Sequence, residues 1–290
     1  MQLGLVGLGR MGGNMRERVR RAGHEVVGYD HNPDVSDVAS MAELVDKLAA
    51  PRVVWIMVPA EVTDATIDDL AGLLAAGDIV IDGGNSRFSN DPPRCERLAG
   101  RGIGYMDVGV SGGVWGIEYG YGLMVGGADE HVEQCMPIFE ALKPAGPYGF
   151  VHAGGVGAGH YTKMVHNGIE YGLMQAYAEG YELLQASEFV DDVPGIFKSW
   201  REGTVVKSWL LDLIDRALDE DADLSKIRGY VDDTGEGRWT VDEAIRLAVP
   251  MNAIAASVFA RFASRQDDSP AMKAVAALRN QFGGHPIKKS

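Results

Sequence analysis

The chain opens MQLGLVGLGRMGGN, residues 1–14, an apolar run that passes through closely spaced glycines into a helical pattern. Gln2–Val6 is a short apolar run suited to a buried strand. Gly7–Leu8–Gly9–Arg10–Met11–Gly12 follows directly and fits G-x-G-x-x-G, and a helical pattern continues from Met11 to Ala22. Between a strand and a helix, such glycines permit a tight turn and let a pyrophosphate approach the free N–H groups of the helix N-terminus. The pattern alone says little in a chain with 38 glycines; its position gives it force. Gly7, Leu8, Gly9, Arg10, Met11 and Gly12 are therefore the cofactor candidates. Glu25–Tyr29 reads as a second strand, and Asp30 ends it about 20 residues on, where an acidic group accepts hydrogen bonds from the ribose of NAD. A carboxylate there repels the 2′-phosphate of NADP. His31 and Asn32 follow it rather than an arginine, so NAD is expected in preference to NADP.

Farther along the chain, Val53–Val58, Ile79–Asp82 and Tyr105–Val110 are strand-like runs, with helical patterns over Val62–Leu74 and Arg94–Ala99. Strands alternating with helices imply a parallel sheet covered on both faces. Met57, Val58 and Pro59 end a strand beside the expected cofactor, as packing or as contacts; Val58 is kept as a cofactor candidate. Composition changes near residue 150, where Gly154, Gly155, Gly157 and Gly159 precede a long helical pattern from Tyr161 to Ala186. Beyond it only helices are read: Pro194–Arg201, Lys207–Leu218, Val241–Leu247, Pro250–Ser264 and Ala271–Asn280. Pro194 and Pro250 suit first-turn positions. The expected architecture is an α/β Rossmann domain, doubly wound over a mainly parallel sheet, at 1–153, then an all-α domain for substrate and assembly at 154–290.

Composition sets bounds. The chain has 290 residues, 46% hydrophobic and 23% charged, as in a soluble globular protein. No apolar run approaches the roughly 20 residues that span a bilayer. The first strand begins at Gln2 with no basic segment before it, which predicts no secretory leader and a cytoplasmic protein. Cys95 and Cys135 lack metal-ligand spacing and read as reduced thiols. A net charge of −14 argues against nucleic acid or an anionic membrane as partner.

The chemistry concentrates in Lys163–Met164–Val165–His166–Asn167–Gly168–Ile169–Glu170–Tyr171–Gly172. On a helix, Lys163, His166, Asn167 and Glu170 stand at i, i+3, i+4 and i+7 and share a face. Burying such a stripe costs free energy unless the groups are paired or used. Met164, Val165, Ile169, Leu173 and Met174 around them argue against a solvated outer face. The combination points to proton transfer. A lysine serves as base for a secondary alcohol once desolvation or a nearby cation favours its neutral form. Once protonated, it can hydrogen-bond a developing enolate oxygen. Glu170, ~10 Å along the axis, can protonate the other end of an enediol. This chemistry requires no metal, and the spacing shows no ligand cluster for one.

Taken together, Gly7 to Asn14, Ile81–Asp82–Gly83–Gly84–Asn85–Ser86, Val110–Ser111–Gly112–Gly113 and Lys163 to Gln175 resemble the 6-phosphogluconate dehydrogenase family. The resemblance implies oxidative decarboxylation of 6-phosphogluconate to ribulose 5-phosphate. It implies Lys163 as base and Glu170 as acid, with Asn85, Ser111, Gly112, Gly113, His166 and Asn167 around the substrate; Asn85 is also a cofactor candidate. Tyr171 matches a phosphate contact, and Lys207 is a further substrate candidate for its positive charge. Arg279 and His285, in Leu278–His285, resemble a tail motif that reaches a neighbouring subunit's substrate site, which fits a homodimer or homotetramer. Two departures bear on the phosphate. Thr234 and Glu236 stand where longer members carry a lysine and a threonine, and Lys207 stands where many carry arginine, which clamps phosphate bidentately as lysine does not. The departures keep open a dehydrogenase of an unphosphorylated hydroxy acid. An NAD-binding regulator without catalysis is the remaining reading, against which the Lys163–Glu170 pair speaks.

Overall fold

The structure is a computed structural model that describes residues 1–283 and 285–288; Gly284, Lys289 and Ser290 lie outside the described residues. The chain divides into two compact units, Met1–His166 and Asn167–Ser290.

The first unit alternates strand and helix as expected. In chain order it contains β1 (Gln2–Val6), α1 (Arg10–Arg21), β2 (Glu25–Tyr29), α2 (Met41–Asp46), β3 (Val53–Ile56), α3 (Ala60–Leu73), β4 (Ile79–Asp82), α4 (Asp91–Ala99), β5 (Gly104–Ser111), α5 (Gly116–Tyr119), β6 (Gly122–Gly127), α6 (Asp129–Leu142) and β7 (Phe150–Gly154). These strands form a seven-stranded sheet in the order β2-β1-β3-β4-β5-β6-β7. All neighbours from β2 to β5 are parallel, β6 runs antiparallel to β5, and β7 is parallel to β6. Strands β3 and β4 are buried along their whole length because helices cover both faces. One face packs Leu3, Leu5, Trp55 and Val108 against Met15 and Val19 of α1 and Ile138 and Phe139 of α6. The opposite face packs Val6, Val54, Ile56 and Val80 against Leu44 of α2, Ile67 and Leu70 of α3 and Leu98 of α4.

The strands β6 and β7 and the helices α2 and α6 go beyond the sequence expectation. Glycines at both ends of β6 and after β7 mask short strands that pairing with β5 completes. Helix α6 carries a readable period, since Val132, Cys135, Ile138, Phe139 and Leu142 are its buried residues. Ser40 starts α2 by accepting a hydrogen bond from the Glu43 amide at 3.1 Å, while Glu43 accepts one from the Ala39 amide at 2.9 Å.

A single helix, α7 (Ala158–Gln185), runs from the end of the first unit into the second. The second unit continues with α8 (Val193–Trp200), α9 (Trp209–Glu220), α10 (Glu236–Leu247), α11 (Asn252–Ser264) and α12 (Pro270–Gly283), and is all helix among its described residues. Phe197 and Leu211 form a small core with Tyr177, Tyr181 and Trp200 packed around it. Pro194 lies in the first turn of α8, as expected. Pro250 does not occupy such a position, because α11 begins only at Asn252. Ser208, rather than Lys207, starts α9 by capping the Leu211 amide at 3.1 Å. Cys95 and Cys135 are free thiols, the second fully buried. Among the described residues no helix is long and apolar enough to cross a membrane.

Candidate active site

The glycine turn has the form a nucleotide requires. Gly7 has φ +93°, and a Cβ there would lie 2.5 Å from the Met57 carbonyl oxygen and 3.0 Å from Val58 Cγ1. A Cβ at Gly12 would lie 2.0 Å from the Gly7 oxygen, so turn, helix and β3 exit approach to the limit that glycine permits. Gly9 faces open space instead. As N-cap of α1 it offers no side-chain acceptor, and the first turn has no acidic residue. The helix N-terminus is thus left to an anion. Val58 is placed against this turn.

Asp30 stands at the end of β2, where Oδ2 accepts from the Leu8 amide at 2.7 Å and Oδ1 from the Asn32 amide at 2.9 Å. Burial works against its charge, but the Asn32 and Leu8 amides hold the carboxyl below its usual value. Each carboxylate oxygen accepts more than one hydrogen bond, so both can still receive ribose hydroxyls.

Across the sheet, β5 ends at Ser111. Gly112 and Gly113 then take φ +136° and +52°, where side chains are disfavoured. Ser111 Oγ lies 3.4 Å from His166 Nε2. Ser111, Gly112 and His166 line a cavity of about 440 Å³ with Gly122, Met124 and Phe150. Asn85 is exposed on the turn after β4.

Helix α7 is brought to this cavity by close backbone contact. A Cβ at Gly109 of β5 would lie 2.4 Å from Lys163 Cβ, so the lysine stem rests directly on the strand. A Cβ at Gly159 would lie 2.4 Å from the Asp107 oxygen and 2.5 Å from that of Met124. The Asp107 side chain secures the contact, since Oδ1 accepts from the Gly157 amide at 2.6 Å and Oδ2 from the His160 amide at 2.8 Å. This is a carboxylate on the donor end of a helix, the favoured sign. Lys163, His166, Asn167 and Glu170 then follow on consecutive turns of one helix, all half-buried. Met164 is buried, but Ile169 and Leu173 are 52% and 43% exposed, contrary to the expectation of an apolar surround.

Beneath the site lies a buried ion network that the sequence did not disclose. Arg94 Nη1 donates to Asp82 Oδ2 and to Ser86 Oγ, each at 2.9 Å. Tyr105 donates to Asp91 Oδ1 at 2.8 Å, and His160 Nδ1 lies 2.9 Å from Asp91 Oδ2. Asp82, Asp91 and His160 have the ligand types of a metal site and stand close enough for one. Arg94, however, already supplies the positive charge there, and Ser86, Tyr105 and His160 occupy the carboxylate oxygens. Burial alone would push the His160 imidazole down, but Asp91, Asp82 and Asp107 outweigh it and raise it from 6.5 to about 9. The carboxylates thus favour the imidazolium form of His160, against which the burial of an Nε2 with no hydrogen-bond partner among the described residues works.

In the second unit the Tyr171 ring is nearly buried, and the Arg261 guanidinium stacks 3.5 Å from its centroid. Gly237 of α10 packs on the same ring. Glu236 is buried, with Oε2 accepting from Thr234 at 2.5 Å and Oε1 without a partner among the described residues. Lys207 instead pairs with Glu202 at 2.8 Å. Arg279, on α12, and His285, after it, are both exposed. Arg261 was missed from the sequence; an arginine inside the apolar run Val258–Phe262 was the available signal.

A parallel α/β unit with this glycine turn, followed by a helical unit, defines the nucleotide-binding dehydrogenases as a class. Residues 2–148 match the model for the NAD binding domain of 6-phosphogluconate dehydrogenase, and residues 159–287 match that for its C-terminal domain. The chain belongs to the 6-phosphogluconate dehydrogenase family. It is 43% identical to an NAD(+)-dependent, decarboxylating 6-phosphogluconate dehydrogenase of Haloferax volcanii, covering 100% of this chain and 99% of that one. A decarboxylating relative from Bacillus licheniformis is 35% identical over 92% of this chain, which spans 62% of its length. Among solved structures, Plasmodium falciparum 6-phosphogluconate dehydrogenase superposes with TM-score 0.83 at 26% identity, covering 100% of this chain and 66% of that one. A Mycobacterium tuberculosis 3-hydroxyisobutyrate dehydrogenase shares the fold, with TM-score 0.71 at 20% identity and coverage of 96% and 99%.

The His160 charge links stability to pH. Its folded value of about 9 exceeds the ordinary 6.5, so its contribution is complete below pH 6.5 and is lost as pH rises towards 9. The loss is on the order of a few kcal/mol. The melting temperature of the wild type should fall over that window, and His160→Asn should show a flatter profile; identical slopes would contradict the assignment.

Proposed function

We propose that the protein catalyses NAD-dependent oxidative decarboxylation of 6-phospho-D-gluconate to D-ribulose 5-phosphate, CO2 and NADH. The observation that carries the proposal is the seating of Lys163 on β5 beside Ser111 and His166. The Haloferax relative, NAD-dependent and decarboxylating by name, supports the same reading.

Bound NAD would accept a hydride from the alcohol carbon. Gly7, Leu8, Gly9, Arg10, Met11 and Gly12 would hold its pyrophosphate, Asp30 its ribose, and Val58 and Asn85 its nicotinamide end. Lys163 takes the hydroxyl proton as the hydride departs, which relieves positive character on carbon. The product is a β-keto acid, and the ketone accepts the electron pair when the carbon–carbon bond to CO2 breaks. Lys163, now protonated, hydrogen-bonds the enolate oxygen as charge develops. Glu170 delivers a proton to the carbon that has lost CO2. Asn85, Ser111, Gly112, Gly113, His166 and Asn167 orient the substrate.

At the phosphate end, Tyr171 is joined by Arg261, whose guanidinium suits a phosphate better than Lys207, already paired with Glu202. Lys207, Arg279 and His285 remain substrate contacts in this proposal, the last two serving a neighbouring copy in a homodimer or homotetramer. Residues 1–153 would form the cofactor domain and 154–290 the substrate and assembly domain, in a cytoplasmic enzyme. The buried Glu236 favours a second reading, in which the substrate is an unphosphorylated hydroxy acid.

Lys163→Ala should lower kcat by about 10²–10⁴-fold while NAD still binds, measured by steady-state NADH formation and fluorescence titration; turnover near the wild-type level would remove the base assignment. For the wild type, kcat/KM with NAD should exceed that with NADP because of Asp30. The reverse order would refute the cofactor preference.

A further inference from the structure

Two residues proposed for the site, Asn85 and Lys163, ride on separate elements: the turn after β4 and helix α7. Chemistry between them requires a fixed separation, since misplacement by an ångström is costly in catalysis. One buried set of side chains touches both supports.

On the turn side, Asp82 Oδ1 accepts from the Gly84 amide at 3.0 Å and Oδ2 from Ser86 Oγ at 2.6 Å. These bonds fix the backbone on either side of Asn85. Arg94 of α4 donates to Asp82 and Ser86 together. On the helix side, His160 lies one turn before Lys163 and is held by Asp91 at 2.9 Å. Asp91 and Arg94 stand three residues apart on α4, with Nη1 3.7 Å from Asp91 Oδ1. The side chains of Asp91, Arg94 and His160 are 0%, 2% and 1% exposed.

We propose that Asp91, Arg94 and His160 form a positioning hub that holds the Asn85 turn in register with the Lys163 helix. A buried ion set of this kind contributes little net stability compared with well-packed apolar residues. A fully bonded network can nevertheless select one arrangement among several of similar energy. The glycine turn follows β1 and Asp30 follows β2, whereas Asp82 ends β4, two strands from β1 in the sheet, so the pyrophosphate and ribose contacts proposed for NAD should not depend on the hub. The inference rests on the proposed roles of Asn85 and Lys163, but not on the identity of the substrate.

The test is steady-state kinetics of Asp91→Ala and Asp91→Asn. The assay uses whichever of 6-phosphogluconate, gluconate and 3-hydroxyisobutyrate the wild type oxidises fastest. Enzyme concentration is counted by NAD-binding stoichiometry. At saturating NAD, Asp91→Ala should lose at least tenfold in kcat while still binding NAD through the glycine turn and Asp30. Asp91→Asn keeps an acceptor for His160 and a partner for Tyr105, and should recover most of that loss. A hub that only stabilised the fold would reduce the NAD-competent fraction and leave kcat per competent molecule unchanged; that result overturns the proposal. If Asp91→Ala yields no NAD-binding protein, Arg94→Lys, which keeps the charge but loses the fork, is read the same way. A wild type that prefers an unphosphorylated acid would refute the proposed substrate and leave the hub standing.

Discussion

The constraint on which the first unit depends is the grip of the Asp107 carboxylate on the first amides of α7. Both oxygens are used, at 2.6 and 2.8 Å, and both donors belong to a helix end that would otherwise be buried without acceptors. Glycines at 109, 126 and 159 let helix and strand approach far enough for the grip to form. A methyl group at any of them would push α7 off the sheet. With the helix seated, Lys163 and His166 follow at fixed positions relative to Ser111. The glycine-rich segment before α7 therefore serves close packing as much as flexibility.

That arrangement explains how a protein of net charge −14 can keep several carboxylates inside one layer. Asp82, Asp91 and Asp107 are fully buried, yet each accepts from an amide, a hydroxyl, an imidazole or a guanidinium. Arg94 and His160 bring positive charge within the network. Asp30, its side chain 11% exposed, solves the same problem differently, using backbone amides at the sheet edge.

The sequence disclosed what depends on local pattern. Strands β1, β2 and β4 were legible to the residue because each is a short apolar run bounded by glycine or a polar residue. The polar stripe from Lys163 to Glu170 was legible because helical spacing alone places it. What escaped notice depends on partners far along the chain. Strand β6 is recognisable only through its pairing with β5, and Asp107 acquires its role only beside residues 157 and 160. His160 gains its role only from Asp91, far off in sequence yet 2.9 Å away. In the second unit, Lys207 was favoured for its charge, but Glu202 holds it, and Arg261 is the cation that meets Tyr171.

One site is proposed both to oxidise and to decarboxylate a phosphorylated sugar acid. The direct measurement is the ratio of CO2 released to NADH formed, followed together in single reactions with 6-phosphogluconate, gluconate and 3-hydroxyisobutyrate. Equal amounts of both products are expected from 6-phosphogluconate, with far slower turnover of the other two. NADH formed without CO2, or faster turnover of an unphosphorylated acid, would contradict it.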